Sequence, residues 1–213
     1  MLEQPSTLTI IQYNVNKSRE TQREFLEKAE RAQPQPLVLA IQEPWKNTQQ
    51  QEHTTLRTKS YYLLHGGSPH TRTCIYINKN LDINQWSVEH HSPDLITLSL
   101  HTGREDIQIH NIYNPKPNGI IAALPLLLNN NNAEHVLVGD MNLHHPSWGG
   151  IRVINTEEQA EELIRIITEA GMDLATEKGI ETWARGTSWS TIDLTFTTGW
   201  LTERTTSCTV QEE

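Results

Sequence analysis

The stretch that most constrains the fold of this chain is residues 136–142, Val-Leu-Val-Gly-Asp-Met-Asn. Three apolar residues predict the end of a buried strand, Gly139 permits a sharp exit, and the short polar side chains of Asp140 and Asn142 follow. A sheet fixes the backbone at such a position while the loop leaves side chains exposed, so catalytic residues are common there. We expect Asp140 and Asn142 to belong to a site that other strand ends complete.

Other apolar runs of strand length also end on polar residues, and amphipathic segments lie among them. Ser18 is typical of a helix N-cap, and short spacers with Gly, Asn and Pro predict antiparallel hairpins between residues 72 and 113. This pattern predicts one α/β domain in which helices cover a sheet. Besides 136–138, the predicted strands are residues 8–15, 37–42, 61–64, 73–77, 83–88, 95–100, 107–113, 189–197 and 205–210. The predicted helices are residues 19–31, 120–129 with Pro125 in the first turn or at a kink, and 157–170 capped by Thr156. Residues 46–58 and the asparagine run 129–132 are predicted loops.

The composition limits how the chain can bind phosphate. Seventeen Lys and Arg against 26 Asp and Glu give a net charge of −9, which argues against a broad basic surface, so phosphate contacts must be local or metal-assisted. Cys74 and Cys208 lie far apart without Cys-x-x-Cys spacing, so we expect two small residues buried in strands rather than a zinc site or disulfide framework. No secretory signal or membrane span is visible, which predicts a soluble intracellular protein.

Polar residues stand at the ends of several predicted core strands, and one acid lies inside the last long strand. An acid in an apolar strand is costly unless it is paired or bound to a metal, so several on separate strands predict a shared site. Carboxylates without cysteine ligands suit Mg²⁺ or Mn²⁺, and Glu43 is the best ligand candidate. Such an ion can neutralise phosphate oxygens while an Asp aligned by an Asn orients water, so phosphoester hydrolysis is the predicted reaction class. The residues are Asn14, Glu43, Tyr113, Asn114, Asp140, Asn142 and Asp193.

Simpler interpretations stay open for individual members of this set. Glu43 can be an exposed acid at a strand end, and Asp140 and Asn142 can be turn residues, which both types favour. Tyr113 can be a core aromatic with its hydroxyl bonded to backbone, and Asp193 can pair with an arginine. The ordered set favours the functional interpretation over each of these.

Histidine and tryptophan residues near the predicted site have structural interpretations as well. His144 and His145 are adjacent and have no third ligand at metal spacing, so we expect a structural role in the loop rather than a zinc site. Trp183 and Trp189 fit core or rim packing, and base stacking is the alternative.

Five short motifs occur in a fixed order along the chain. They are Gln12-Tyr13-Asn14-Val15-Asn16, Gln42-Glu43-Pro44, Ile112-Tyr113-Asn114-Pro115, Gly139-Asp140-Met141-Asn142 and Ser190-Thr191-Ile192-Asp193-Leu194. With them the chain, from about residue 8 to residue 210, resembles the endonuclease/exonuclease/phosphatase family. That resemblance implies an α/β fold, a four-layered sandwich of two packed mixed or antiparallel β-sheets flanked by helices. Residues 144–149, His-His-Pro-Ser-Trp-Gly, are similar to the endonuclease domain of non-LTR retrotransposons, which nicks target DNA for reverse transcription.

The resemblance implies a role for each polar residue at the centre of the site. Glu43 would bind Mg²⁺ or Mn²⁺, and Asn14 would support the metal and phosphate side. Tyr113 would contact the scissile phosphate. Asp140 would orient or deprotonate the attacking water, and Asn142 would hold Asp140 and the phosphate.

Further residues receive roles from the same resemblance. Asp193 would orient a catalytic histidine. Asn114, Thr182, Trp183 and Ser190 would bind the substrate. DNA is the implied partner, a reverse transcriptase domain would belong to a longer parent protein, and action on genomic DNA would place the protein in the nucleus.

One motif of the family is missing. The family pattern continues past the last strand into Ser-Asp-His, and no Asp-His pair occurs in this sequence, so the single domain of residues 1–213 would lack its last strand and terminal motif. The family's histidine stabilises charge in the transition state, and the loss of such a group is expected to cost several orders of magnitude in rate. Three hypotheses follow: a Mg²⁺-dependent DNA endonuclease of retrotransposon type, a catalytically impaired or inactive nucleic-acid-binding module, and a phosphatase acting on a small or lipid phosphoester. The His-His-Pro-Ser-Trp-Gly stretch argues against the phosphatase.

Overall fold

The computed structural model describes residues 7–47, 54–103, 106–116, 119–129, 132–205 and 207–210. The strands are β1 (Ile10–Asn14), β2 (Val38–Gln42), β3 (Tyr61–Leu64), β4 (Thr73–Asn78), β5 (Trp86–Ser92), β6 (Leu95–His101), β7 (Asp106–Tyr113), β8 (Ala133–Asp140), β9 (Met172–Leu174), β10 (Trp183–Arg185), β11 (Ser188–Ser190) and β12 (Asp193–Thr198). The helices are α1 (Arg19–Arg31), α2 (Leu124–Leu128), α3 (Pro146–Gly149), α4 (Glu158–Glu169) and α5 (Gly199–Arg204).

The long strands form two sheets. The first has the order β1-β2-β4-β3 and the second the order β5-β6-β7-β8-β12-β9, while β10 and β11 pair as a separate hairpin. Strands β1 and β2 are parallel, as are β7 and β8, and the other neighbours are antiparallel. Because parallel strands end at the same edge, the carboxyl ends of all four parallel strands can contribute to one site.

Three hydrophobic clusters separate four layers of structure. Helix α1 packs on the outer face of the first sheet, the two sheets face each other, and α2 and α4 cover the outer face of the second sheet. Strand β8 shows the cause, since Val136 and Val138 point between the sheets while Leu137 points toward the helices, as the period of two requires. The predicted four-layered α/β sandwich is confirmed.

Local sequence signals account for the helices that flank the sheets. Helix α1 has the predicted bounds, and the Ser18 hydroxyl accepts a hydrogen bond from Thr21 N at 3.2 Å as its N-cap. Pro125 lies in the first turn of α2, where a missing N–H costs nothing. Helix α4 is capped at Glu157 rather than at the predicted Thr156, and Glu157 makes no side-chain cap bond.

Gly139 does not form the predicted sharp exit from the strand but allows β8 to approach β7 closely. It lies inside β8 at φ +150°, and a Cβ at this position would stand 1.9 Å from the carbonyl oxygen of Ile112 on β7. The two parallel backbones therefore approach each other closely only because residue 139 is glycine. The strand continues one residue further and ends at Asp140.

Two predicted strands have other boundaries in the structure. Residues 83–88 begin as a 3₁₀ turn over Ile83–Gln85, which Asp82 caps by accepting from Asn84 N at 2.8 Å, and β5 starts at Trp86. Residues 189–197 divide into β11 and β12, which belong to different sheets. The division occurs because the hydroxyl of Thr182 accepts hydrogen bonds from the backbone N–H groups of Ile192 and Asp193, where β12 begins.

The predicted strand over residues 205–210 is wrong for the part of this segment that the structure describes. Helix α5 runs to Arg204, and residues 205 and 207–210 have no regular structure. Cys208 is consequently half-buried outside any strand, whereas Cys74 is fully buried in β4 as predicted. The predicted loops at residues 46–58 and 129–132 lie partly outside the described residues, and their described parts contain no strand or helix.

No helix in the described ranges is both long enough and apolar enough to cross a membrane.

A buried pair of histidines links β7 to β8. His110 Nε2 and His135 Nδ1 are 3.0 Å apart, and His110 Nδ1 lies 2.9 Å from the hydroxyl of Thr97. One ring must accept in a hydrogen bond between two imidazoles, so protonation of both would break it. Burial, followed by the charge of His135, lowers the pKa of His110 to about 3.

We expect this pair to make the protein acid-sensitive. The unfolded chain binds a proton on His110 below about pH 6.5 and the native protein does not, so the free energy of unfolding falls by about 1.4 kcal/mol per pH unit from this group below pH 6.5. His110→Gln should flatten that slope in urea unfolding between pH 6.5 and pH 5. The exposed His70→Gln is the matched control, and equal slopes in all three proteins would contradict the assignment.

Candidate active site

The loops that follow the parallel strands β1 and β2 lie side by side. Val15 N donates to Gln42 O at 3.1 Å, and Lys17 N donates to Glu43 O at 2.8 Å. Lys17 and Glu43 have φ values of +58° and +47°, a left-handed conformation that is uncommon for residues with a side chain and that clusters at functional sites. Glu43 is thereby fixed at the edge of an open groove that it helps to line.

A hydrogen bond between side chains joins the two sheets at this edge. Asn14 Nδ2 donates to Asp140 Oδ2 at 2.8 Å. The amide oxygen of Asn14 accepts from Asn16 N, and the other carboxylate oxygen of Asp140 accepts from Asn142 N, both at 2.9 Å. Asn142 has φ +50° and donates its amide to the carbonyl of Asn114 at 3.2 Å. The structure therefore brings Asn14, Asp140 and Asn142 together as predicted.

Asp140 and Asp193 are paired across β8 and β12 in antiparallel register. Burial raises the pKa of Asp140, and the hydrogen bonds from Asn14 and Asn142 oppose that shift. Burial and then the charge of Asp140 raise the pKa of Asp193 to about 7. The pKa of about 7 leaves a proton on Asp193 up to near neutral pH, while the hydrogen bonds from Asn14 and Asn142 stabilise the charged form of Asp140.

A chain of buried amides supports the acids, and the sequence analysis missed it. Gln12 Nε2 donates to Asp193 Oδ1 and to Gln42 Oε1, both at 2.7 Å. Gln42 Nε2 donates to Asn111 Oδ1 at 2.5 Å, and the amide of Asn111 donates to carbonyls of β2 and β4. Gln42 and Asn111 are fully buried. The sequence feature that could have indicated this chain is an amide side chain inside each apolar strand, because burial of an amide destabilises the fold unless it is hydrogen-bonded.

Glu43 and Tyr113 form the other half of the site. Lys17 Nζ lies 2.9 Å from Glu43 Oε1, and the Glu43 side chain is only 11% exposed. Burial, followed by the charges of Glu43 and Asp140, raises the pKa of Tyr113 to about 12, so its hydroxyl is protonated near neutral pH and can donate. The guanidinium carbon of Arg72 lies 5.4 Å from the centroid of the Tyr113 ring.

The oxygen donors at this edge fit a hard divalent cation. Within the described residues, no group of three His, Cys, Asp or Glu side chains could hold a metal ion. A Mg²⁺ site needs no such group, because Mg²⁺ keeps several waters and takes one or two carboxylates. Glu43 supplies a carboxylate, and Asn14 Oδ1 has a second lone pair besides the one that accepts from Asn16. This donor set suits Mg²⁺ or Mn²⁺ and lacks the ligands of a zinc site.

The groove also contains three of the four predicted substrate-binding residues, Thr182, Trp183 and Ser190. Trp183 and Ser190 are partners in the β10–β11 hairpin, and Trp183 is 43% exposed. The hydroxyl of Thr182 accepts from the backbone N–H groups of Ile192 at 2.9 Å and Asp193 at 3.0 Å. Thr182 thus separates β11 from β12 and positions Asp193.

Asn114, the fourth of these residues, lies outside the groove. Its side chain is fully buried, donates to Met141 O at 2.8 Å and accepts from Ile120 N at 3.1 Å. These bonds tie the loop after β7 to the loop after β8, so the position of Asn114 favours support of the Asn142 backbone over substrate contact. The carboxylate of Asp193, which the resemblance implies would orient a histidine, accepts a hydrogen bond from the amide of Gln12.

The histidines after β8 have the predicted structural role. His144 Nδ1 lies 2.9 Å from Glu157 Oε1, which ties the loop to the start of α4. His145 Nδ1 accepts from Ser147 N at 3.0 Å as the N-cap of α3, and its ring lies against the fully buried Trp148. Trp189, for which packing and base stacking were the two interpretations, has the guanidinium carbon of Arg152 at 4.7 Å from its ring centroid.

A sequence model of the family described as Endonuclease-reverse transcriptase matches residues 107–213, half of the chain. The chain belongs to this endonuclease–reverse transcriptase family. The matched part contains Tyr113, Asp140, Asn142 and Asp193, while Asn14 and Glu43 precede it. No curated protein matches the chain.

Solved structures share the fold at low sequence identity. The endonuclease domain of TRAS1, a telomere-specific non-LTR retrotransposon, is 15% identical with a TM-score of 0.69, over 92% of this chain and 88% of that one. The AP endonuclease LMAP from Leishmania major is 12% identical with a TM-score of 0.65, over 92% and 80%. The catalytic domain of Xenopus laevis APE2 is 13% identical with a TM-score of 0.66, over 91% and 83%. At these identities the likeness shows the fold of the endonuclease/exonuclease/phosphatase proteins.

The proton on Asp193 should make this member of the family less stable as the pH rises. The native protein keeps that proton between about pH 4 and pH 7 while the unfolded chain loses it, so the Asp193 contribution falls by about 1.4 kcal/mol per pH unit, at most about 4 kcal/mol in total. Asp193→Asn keeps an acceptor for Gln12 and removes the titration. In urea unfolding in EDTA, the free energy of unfolding of Asp193→Asn should rise relative to that of wild type as the pH rises. The exposed Asp173→Asn should show no such change. A constant difference between pH 4.5 and pH 7.5 would refute the assignment.

Lys17 should compete with a divalent cation for Glu43. An exposed ion pair is worth about 0–1 kcal/mol, so Lys17→Gln should tighten Mg²⁺ binding by up to about fivefold in isothermal titration calorimetry. Lys79→Gln, at the other end of the first sheet, is the matched control. Unchanged or weaker Mg²⁺ binding in Lys17→Gln would show that the cation does not use Glu43.

Proposed function

We propose that this chain is a Mg²⁺-dependent DNA endonuclease domain that nicks one strand by hydrolysis of a phosphodiester. The observation that carries the proposal is the Asn14–Asp140 hydrogen bond, which holds a buried, charged carboxylate within the groove that Glu43 and Tyr113 also line. A carboxylate of this kind is suited to orient and deprotonate water beside a metal-bound phosphate.

Each side chain then has one task in the reaction. Asp140 takes a proton from the attacking water, and its bonds to Asn14 and to Asn142 N keep the carboxylate oriented. The protonated hydroxyl of Tyr113 donates to a phosphate oxygen, where charge develops. Glu43 and Asn14 are the residues that would hold Mg²⁺, which would supply positive charge to stabilise the reacting phosphate.

DNA is the substrate we propose, on two grounds. The structures similar in fold include retrotransposon and AP endonucleases and a protein complexed with a single-strand DNA product. The groove is open and extends from β1 to the β10–β11 hairpin, more than a small phosphoester needs, so we do not propose the phosphatase. We also propose a reverse transcriptase domain in a longer parent protein, which the family description supports, and action in the nucleus, which rests only on genomic DNA being the substrate.

A catalytically impaired nucleic-acid-binding module is the second candidate. It is favoured by the partner of Asp193, whose carboxylate accepts from the neutral amide of Gln12.

Nicking of supercoiled plasmid in Mg²⁺ tests the proposal. Glu43→Gln and Asp140→Asn should each lower the nicking rate at least about 100-fold, because each removes one charged group from the reacting centre. Asp173→Asn is the matched control and should keep the wild-type rate. Equal rates in all four proteins would show that the nicking comes from elsewhere. Absence of nicking in wild type, together with retained DNA binding, would favour the impaired module.

A further inference from the structure

Three cations meet around the backbone of Glu43. Lys17 N donates to Glu43 O at 2.8 Å, and Glu43 N donates to Arg72 O at 2.8 Å, so the loops that carry Lys17 and Arg72 are fixed on either side of the acid. Lys46 follows in the same loop as Glu43, and its Nζ donates to the carbonyl of Pro69 at 2.6 Å. We refer to Lys17, Lys46 and Arg72 as the cationic cluster.

The loop that carries Lys46 is bonded to helix α1. Trp45 N donates at 2.7 Å to Oε1 of Gln22, a fully buried residue of α1. Burial, and then the charges of Lys17 and Arg72, lower the pKa of Lys46. The bond from Lys46 Nζ to Pro69 O and the bond from Glu43 N to Arg72 O attach residues 43–46 to the loop over residues 69–72, which places Lys46 and Arg72 on neighbouring segments.

The charges of the cluster are only partly balanced by acids. Glu43 pairs with Lys17, and Asp94 accepts two bonds from Arg72 at 2.5 Å and 2.7 Å. A metal bound at Glu43 would release Lys17. The three cations would then be balanced only by Asp94, which is bonded to Arg72. The cluster would thus be locally positive although the net charge of the chain is −9.

The rest of the groove does not attract phosphate. Among its lining residues, six are acidic and three are basic. The acidic ones are Glu24, Glu43, Asp140, Glu177, Glu181 and Asp193, and the basic ones are Lys28, Arg185 and Arg204. Lys17, Lys46 and Arg72 are not among these lining residues but lie beside Glu43 at the edge of the groove, where Arg72 also covers the ring of Tyr113, so a polyanion at the groove is drawn toward that edge.

We propose that the cationic cluster of Lys17, Lys46 and Arg72 binds a backbone phosphate of duplex DNA beside Glu43. The inference deepens the proposed function and rests on DNA being the substrate. The cluster positions the strand through its backbone and carries no base information. Lys46 is the member to test, because Lys17 bonds to the metal ligand Glu43 and Arg72 is engaged with Asp94.

Salt-dependent binding of a fluorescein-labelled 20-bp duplex, measured by anisotropy in EDTA, tests the cluster without cleavage. Removing one phosphate contact lowers the magnitude of the slope of log K against log salt by about 0.9. Lys46→Gln should show this loss and bind roughly tenfold more weakly at low salt. Lys46→Arg should restore the slope, and Lys79→Gln should leave it unchanged.

Other outcomes separate the cluster from the proposed function. A slope for Lys46→Gln equal to that of wild type, or no binding by wild type at low salt, would overturn the cluster. If nicking nevertheless depended on Glu43 and Asp140, the proposed function would stand without the cluster. If the slope fell as expected but no Glu43-dependent nicking occurred, the phosphate site would stand and the hydrolysis would fail.

Discussion

The site depends on the contact between the two sheets at the ends of their parallel strands. Asn14 ends β1 and Asp140 ends β8, and a hydrogen bond of 2.8 Å connects them across the sandwich. The buried pair Gln42 and Asn111 repeats this connection one layer deeper. Polar bonds in such a dry position are strong and specific when every partner is satisfied. They fix how the sheets are stacked, and they fix the catalytic edge at the same time.

Burial of two acids opposite each other sets the electrostatics of that edge. Two neighbouring carboxylates in a dry site do not both ionise at low cost, so the environment must decide which one keeps its proton. Asn14 and the backbone of Asn142 donate to Asp140, and the amide of Gln12 is shared between Asp193 and Gln42. Burial and the charge of Asp140 raise the pKa of Asp193, and the hydrogen bond from Gln12 opposes that shift only in part, so the proton on Asp193 follows from its buried position opposite Asp140.

Sequence reasoning succeeds here where the signal is local. Ser18 predicts the start of α1 because a cap acts within one turn, and polar residues at strand ends predict the shared site because parallel strands end together. It fails where the cause is distant along the chain. Thr182 divides a predicted strand ten residues away by taking the N–H of Ile192, and no local pattern shows that bond. The partners of the amides are equally hard to predict from local sequence, because Gln12 and Asp193 are 181 residues apart in the chain.

The acidic composition and a phosphate-binding role are compatible because the two act over different distances. At physiological ionic strength the Debye length is about 8 Å, so repulsion between DNA and the distant exposed acids is largely screened. Contacts at hydrogen-bond distance, such as those available to Lys46, are screened much less. For the proposed DNA substrate, a chain of net charge −9 therefore offers little long-range attraction, and binding would depend on a few placed cations such as Lys46.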